Sequence, residues 1–251
     1  MPIICQRFLP IQPWAHPQTR KLPGIQPVKP GEWLIFDEVY SEQMAYRDDL
    51  LRQKRADVFM ARKDSLDAQR ELLSLLLSEL NDDYTISDTR VIRPDGQSIE
   101  FTDEPIITAA KLVQEDLLIL EDGILTAAVL CFPASWTLSE KFGRGLIGIH
   151  DVVVEYDDNL AKRVGRLFDA IRPEQPLWRA NYMIYADPEL HQPRLESDTR
   201  TDTSGEFIRV ERQTLRKLPE TGAVVFGIHT FVAPLSTLGE PERAELMECV
   251  K

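Results

Sequence analysis

The sequence predicts an α+β fold in which helices come first and an antiparallel sheet, interrupted by one more helix, follows. Residues 37–80 carry apolar side chains at helical spacing, and residues 157–171 return to that spacing. Between and after them, β-rich segments are joined by turn signals. A chain of 251 residues is long enough to bury a sizeable core around such a sheet.

Residues 1–36 are predicted to form an extended arm. They contain seven prolines, and proline removes a backbone donor and interrupts regular elements. Trp14 and Trp33 are the bulky side chains with which the arm would dock. The rest of the chain, residues 37–251, is interpreted as a single domain that begins with a helical region.

Two helices are predicted between residues 37 and 80. Asp37 is a suitable N-cap for the first, because its carboxylate can accept from free backbone N–H groups. The mixed charges of "RQKRADVFMARKDSLDAQRE" indicate a solvated surface. The predicted apolar face consists of Phe59, Leu66, Leu73, Leu77 and Leu80.

Turn residues and alternation predict the strands. Asp95-Gly96 marks a small hairpin within residues 85–103, and "PIITAAKLVQ" predicts a short helix. Glu121-Asp122-Gly123, between two apolar β-rich runs, is the clearest hairpin signal in the chain. Strands are then predicted at "PLWRANYMIYA", "FIRVERQTLRKLP" and "GAVVFGIHTFVAPL", and a final short helix at "GEPERAELMECVK".

Composition excludes several classes of protein. A net charge of −12 argues against non-specific nucleic-acid binding, which needs basic surface to neutralise phosphates. Cys5, Cys131 and Cys249 are too scattered for a zinc knuckle or a disulfide framework, which favours a reducing cytoplasm. No convincing signal peptide or membrane-spanning stretch is present, so a soluble protein is expected. P-loop, nucleophile-elbow and HExxH motifs are also absent from the sequence.

Among the histidines, His150 has the most suggestive position. It ends the glycine-containing run "EKFGRGLIGIH", where an imidazole could ligate a metal or haem iron, act as an acid or base, or satisfy a local hydrogen bond. His229 lies within a predicted strand and is interpreted as a packed or edge residue. His16 and His191 lie in proline-containing segments and are expected at the surface.

Charged residues within predicted strands form a second group of candidates. "RVERQTLRK" places Arg209 and Glu211 on one face of a strand and Arg212 on the other. Such side chains either need a buried partner or anionic ligand, or they protect an edge strand. Arg179 in "WRANY" could grip a carboxylate or stack on a ring. Cys131 is interpreted as a small buried apolar group rather than a thiolate ligand.

Several motifs together resemble the haem-dependent oxidative N-demethylase family, which includes the haem-bearing α subunit of dimethylamine monooxygenase. "CFPASW", "IH", "WRAN" and "RVERQTLRKLP" occur in collinear order within residues 33–235. The resemblance implies a PAS-like antiparallel sheet whose pocket holds haem b, with His150 as the iron ligand. It also implies that O2 is used to remove a methyl group from a small secondary amine such as dimethylamine. Electrons would come from NADPH through flavin and iron–sulfur partner subunits.

Side-chain chemistry suggests how this implied pocket would be built. Arginines bind carboxylates bidentately, so the candidates for the haem propionates are Arg179, Arg209 and Arg212. A small ammonium substrate needs a carboxylate or an aromatic surface, for which Glu211 and Tyr182 are the candidates. The apolar strand around His229 could line the macrocycle, and His229 is the second candidate for the cofactor.

Two departures from the family pattern concern the pocket. The sequence after His150 reads "DVVVEY", where family members often carry prolines, and Tyr182 occupies a position that is commonly tryptophan. Two other functions therefore stay open. One is a haem PAS protein that senses gas or redox state without turnover, and the other is a haem-free interaction protein.

Overall fold

A computed structural model describes residues 3–20, 24–145, 170–198 and 205–249. His150 and almost all of the helix predicted at 157–171 lie outside the described residues. The strands of the described chain are β1 (Gln26–Pro27), β2 (Phe59–Ala61), β3 (Thr85–Ile86), β4 (Arg90–Ile92), β5 (Ser98–Glu100), β6 (Asp116–Glu121), β7 (Ile124–Val129), β8 (Leu177–Tyr185), β9 (Phe207–Lys217) and β10 (Val224–Pro234). The helices are α1 (Pro17–Arg20), α2 (Tyr40–Gln53), α3 (Arg55–Val58), α4 (Leu66–Glu79), α5 (Pro105–Ala110), α6 (Leu138–Lys141) and α7 (Glu240–Cys249).

Seven strands form the main sheet in the order β1-β8-β9-β10-β6-β7-β2, and all neighbouring pairs are antiparallel. β3, β4 and β5 form a second, small antiparallel sheet. The predicted α+β class with an antiparallel sheet is therefore confirmed.

Both predicted hairpins are present. β6 and β7 are joined at Asp122 and Gly123, whose φ angles of 50° and 75° are both positive, as a two-residue type I′ turn requires. β4 and β5 are joined through Gly96, whose φ is 81°. These turns fix the register of the adjoining strands.

β9 is a central strand, because it pairs with β8 on one side and along its whole length with β10 on the other. The edge-strand interpretation of its charges is therefore wrong. Glu211 lies opposite Asn181 and Thr230, whereas Arg212 lies opposite Ala180 and His229. Since neighbouring strands share the pleat, these registers define two faces. The Glu211 face carries Arg179, Asn181, Arg209, Glu211, Phe226 and Thr230, and the His229 face carries Tyr182, Arg212, His229 and Phe231.

The two helices predicted between residues 37 and 80 are confirmed as α2 and α4, but three details were wrong. Phe59, predicted on the helical face, lies in β2. Asp37 does not cap α2, whose N-cap position is Val39: its Oδ1 accepts from the backbone N–H of Val39 just before the helix, and its Oδ2 faces His229. The buried side of α4 consists of Ala68, Gln69, Leu72 and Leu76. The leucine-rich stretch allowed more than one helical phase, and Leu73 and Leu77 are only partly buried.

The arm packs on the His229 face. Trp14 and Trp33 are buried, which confirms them as its anchors. The ring of Trp14 meets that of Tyr182 edge-on, with centroids 5.2 Å apart, and the guanidinium of Arg216 stacks over Trp33. Within the described ranges, no helix is both long enough and apolar enough to cross a bilayer.

Candidate functional site

The main sheet separates the candidate residues into two groups. The group on the Glu211 face comprises Arg179, Arg209 and Glu211. The group on the His229 face comprises Tyr182, Arg212 and His229. A residue on one face cannot share a small ligand with a residue on the other, because the sheet lies between them. Tyr182 and Glu211 are therefore not brought together.

The Glu211 carboxylate is held by one neighbour on each of its oxygens. Oε1 accepts a hydrogen bond from Nε of Arg209 at 3.2 Å. Oε2 accepts a longer one, of 3.4 Å, from the side-chain amide of Asn181 on the adjacent strand. The Glu211 side chain is 14% exposed, and Asn181 is exposed. One carboxylate oxygen is thus loosely held beside a surface-accessible amide.

Arg209 is buried and joins the strand to two loops. Nη1 donates to the carbonyl of Leu190 at 3.1 Å, and Nη2 donates to the carbonyl of Phe132 at 2.6 Å. Nη2 also lies 3.5 Å from the hydroxyl of Thr230. Together with the bond to Glu211, these contacts engage most of the five N–H donors of a guanidinium.

Arg179 has a different environment. It is half-buried, and its Nε has no hydrogen-bond partner in the described part of the chain. Burial lowers the pKa of Arg179, and the negative charge of Glu211 only partly opposes that shift. A buried guanidinium with an unused donor favours an anionic partner.

Apolar side chains surround this polar row on the Glu211 face. Phe226 packs against Leu215 and Leu177 in one cluster and belongs to a second cluster that includes Trp136 and Phe142. Phe226, Trp136 and Phe142 are each half-buried. The face therefore combines apolar side chains with an arginine whose Nε has no hydrogen-bond partner among the described residues.

On the His229 face, the imidazole of His229 meets two carboxylates, although Glu115 Oε2 and Arg216 Nε have no hydrogen-bond partner among the described residues. The buried ring of His229 lies between two carboxylates, with Nε2 3.3 Å from Asp37 Oδ2 and Nδ1 3.4 Å from Glu115 Oε1. Burial alone would lower the pKa of His229, but the hydrogen bonds and charges of these carboxylates raise it. Burial would raise the pKa of Asp37, but His229, Gln114 and Gln6 lower it to about 2. Both ring nitrogens of His229 face carboxylates, so neither is free for an iron atom.

Arg212 and Tyr182 hold the arm. Arg212 donates from Nη1 to the carbonyl of Trp33 at 3.0 Å and from Nη2 to the carbonyl of Glu32. Its guanidinium also stacks over the ring of Trp178. Burial lowers the pKa of Arg212, and Glu115 and Glu32 oppose that change. Burial raises the pKa of Tyr182 to about 12, so its phenol is neutral at pH 7.

The other histidines gave one confirmed and one wrong prediction. His16 is exposed as expected. His191 is buried, and its Nδ1 donates to the carbonyl of Cys131 at 2.8 Å. The backbone N–H of Gln192, the next residue, donates to the carbonyl of Pro133, so both residues hold this loop to the segment after β7. Burial lowers the pKa of His191 and raises that of the Cys131 thiol to about 12, which confirms Cys131 as a buried neutral group.

The roles of three residues in these networks were not predicted from the sequence. Asn181 follows Arg179 by two positions, so strand alternation could have placed it on the same face, but its cross-strand partner could not be read. Asp37 and Glu115 converge on His229 from distant parts of the chain, and no sequence signal marks them. In the ranges that the structure covers, no three His, Cys, Asp or Glu residues are arranged to hold a metal ion.

A family comparison places these observations in context. The profile of the family described as haem-dependent oxidative N-demethylase, alpha subunit-like, matches residues 24–251. Because the match covers most of the chain, the chain belongs to this family, as the motifs predicted. No curated protein sequence matches the chain.

Proposed function

We propose that the chain is the haem b-binding subunit of an oxidative N-demethylase that acts on a small secondary amine such as dimethylamine. In this proposal residues 37–251 form one haem-binding domain with a PAS-like sheet, and residues 1–36 are an arm that supports it. The family match carries the proposal, because haem dependence and N-demethylation are what define the family's description.

The Glu211 face fits haem better than the His229 face does. A porphyrin needs flat apolar surface and cations for its propionates. Phe226 and Trp136 offer apolar surface, and Arg179 offers a cation whose Nε has no hydrogen-bond partner among the described residues. On the opposite face, Arg212 and His229 are already occupied by the arm and by buried carboxylates. We therefore assign the propionate-binding role to Arg179.

His150 is the proposed iron ligand. Two other histidines are unsuited to this role, because both nitrogens of His229 face carboxylates and His16 lies exposed in the arm.

Glu211 is the proposed amine-binding group. Its loosely held Oε2 can accept an N–H of a secondary ammonium ion, and a carboxylate there can also accept the proton that the amine must lose. Haem, held by His150 and Arg179 in this proposal, would supply the activation of O2 for oxidising an N-methyl group, whose carbon is released as formaldehyde. The two electrons would come from NADPH through flavin and iron–sulfur partner subunits. Tyr182 lies on the other face and is not assigned to the amine.

The proposal is tested by loading the chain with haem and adding dimethylamine, O2 and a competent electron donor. We expect a Soret band of the histidine-ligated type and amine-dependent formaldehyde. His150→Ala should lose that spectrum, whereas the matched control His16→Ala should keep it. A Soret band without formaldehyde would indicate a sensor, and a protein that stays colourless after haem titration would indicate a haem-free protein. Either result would refute the proposed function.

A further inference from the structure

We infer that Arg209 is a positioning residue that holds the Glu211 carboxylate in the orientation needed to receive an ammonium ion. This inference rests on the proposed function, because it takes Glu211 as the amine-binding group. It differs from a propionate-binding role for Arg209, which the sequence alone left open. Asn181 completes the arrangement from the neighbouring strand.

The contacts of Arg209 hold its guanidinium in one orientation. The side chain is 3% exposed, and its two Nη atoms are anchored on the carbonyls of Leu190 and Phe132. Those carbonyls belong to two different loops, so the plane of the guanidinium is set by the fold rather than by Glu211. With Nη1 and Nη2 anchored, Nε points along the strand to Glu211 Oε1.

Because Arg209 is anchored, the two carboxylate oxygens of Glu211 differ in how firmly they are held. Oε1 is held by a charge-assisted hydrogen bond, while Oε2 has only the 3.4 Å contact to Asn181 Nδ2. Oε2 is therefore the oxygen that can accept an ammonium N–H, and it is already oriented. Immobilising a free glutamate on binding would otherwise cost about two- to tenfold in affinity.

The same contacts argue against Arg209 as a cofactor ligand. Four contacts engage its three nitrogens, and three of them are to groups of this chain other than Glu211. A bidentate grip on a propionate needs two adjacent N–H groups, which Arg209 would have to withdraw from buried carbonyls. Arg179 meets that need without such a loss.

The experiment measures the binding of dimethylammonium chloride to the haem-loaded full chain by calorimetry. We expect Arg209→Lys to weaken the affinity roughly five- to tenfold, because lysine keeps the charge but cannot bond two loops and Glu211 together. Glu211→Gln should weaken it at least as much, and the double variant should be no weaker than Glu211→Gln alone. Arg216→Lys, on the same strand but on the His229 face and paired with Glu79, is the matched control and should bind like the wild type.

Additive losses in the double variant, or a wild-type affinity for Arg209→Lys, would overturn the inference. If Arg209→Lys does not fold, Glu211→Asp is the second variant: it keeps the carboxylate but withdraws it from Arg209 Nε, so wild-type affinity would also overturn the inference. A crystal structure of whichever variant folds tests the positioning role separately from the proposed function, because the orientation of the carboxylate can be observed without bound amine. We expect the residue 211 carboxylate in more than one conformation, and a single orientation identical to that in the wild type would refute positioning even if the wild type binds no amine.

Discussion

The two faces of one sheet use similar residues for different purposes. Arg212 and Glu211 are consecutive in the sequence, yet Arg212 is bonded to the arm and Glu211 lies beside an exposed amide. On the His229 face, Arg212, Arg216 and His229 each meet a carbonyl or a carboxylate of their own chain, although Arg216 Nε has no hydrogen-bond partner among the described residues. On the Glu211 face, Arg179 forms no salt bridge or hydrogen bond through Nε within the described ranges.

This difference separates charges that stabilise the fold from charges that are available to a ligand. A buried charge that the fold itself satisfies contributes to stability, and its removal leaves unpaired groups behind. A buried charge that the fold leaves unsatisfied disfavours the folded state and is retained at sites that serve function. Equivalent substitutions on the two faces should therefore change the free energy of unfolding in opposite directions.

The largest expected effect is on the His229 face. Arg212→Met should lower the free energy of unfolding by about 2–4 kcal/mol, because it strips two carbonyls of the arm of their donor and removes a cation near Glu115. Urea unfolding followed by circular dichroism measures this change. A loss below about 1 kcal/mol would show that the arm does not depend on this contact.

The next effect is the pH dependence that His229 confers on stability. Its pKa in the folded protein is raised above the unfolded value of 6.5, so its contribution is complete below that pH and is lost as the pH rises through the folded-state pKa. Asp37 acts in the opposite range: its contribution is present above pH 3.8 and is lost as the pH falls through about 2. Stability should therefore decline on the alkaline side as the pH rises through the folded-state pKa of His229.

His229→Gln is the control for this titration. Glutamine can still donate one hydrogen bond but cannot titrate, so the alkaline decline should be smaller than in the wild type. Urea midpoints between pH 6 and 10, recorded on both proteins, make the comparison. Parallel curves for the two proteins would show that the imidazolium of His229 does not stabilise the folded protein.

The smallest effect on stability is expected on the Glu211 face. Arg179→Met should leave the free energy of unfolding unchanged or raise it by up to about 1 kcal/mol, because burial already disfavours the charged form of Arg179. The same substitution should weaken haem binding about tenfold, since a propionate loses its cation. Thermal unfolding of the haem-free chain and haem titration measure the two effects separately. A loss of stability like that of Arg212→Met would erase the distinction between the faces.

The sequence predicted elements well where the signal is local. Asp122-Gly123 demands positive φ at both residues and so identifies a hairpin by itself. Alternation in β9 correctly put Arg209 and Glu211 on one face and Arg212 on the other. Trp14 and Trp33 were identified as anchors because an extended arm has few other ways to bury surface.

Long-range pairing was beyond the sequence. Nothing local indicates that Asp37 Oδ2 will face one ring nitrogen of His229, or that Glu115 will approach the other. The position of β9 in the centre of the sheet, and the division of Tyr182 from Glu211 by that sheet, depend on strand order. The prediction that His191 is exposed was wrong because it was based on the neighbouring prolines, whereas His191 is buried and bonded to the carbonyl of Cys131.

The most direct test of the account is a crystal structure of the haem-loaded chain. We expect the porphyrin to lie against Phe226 on the Glu211 face, with a propionate bonded to the Arg179 guanidinium and with His229 still held between Asp37 and Glu115. A porphyrin on the His229 face, or one that leaves Arg179 without a partner, would contradict the account.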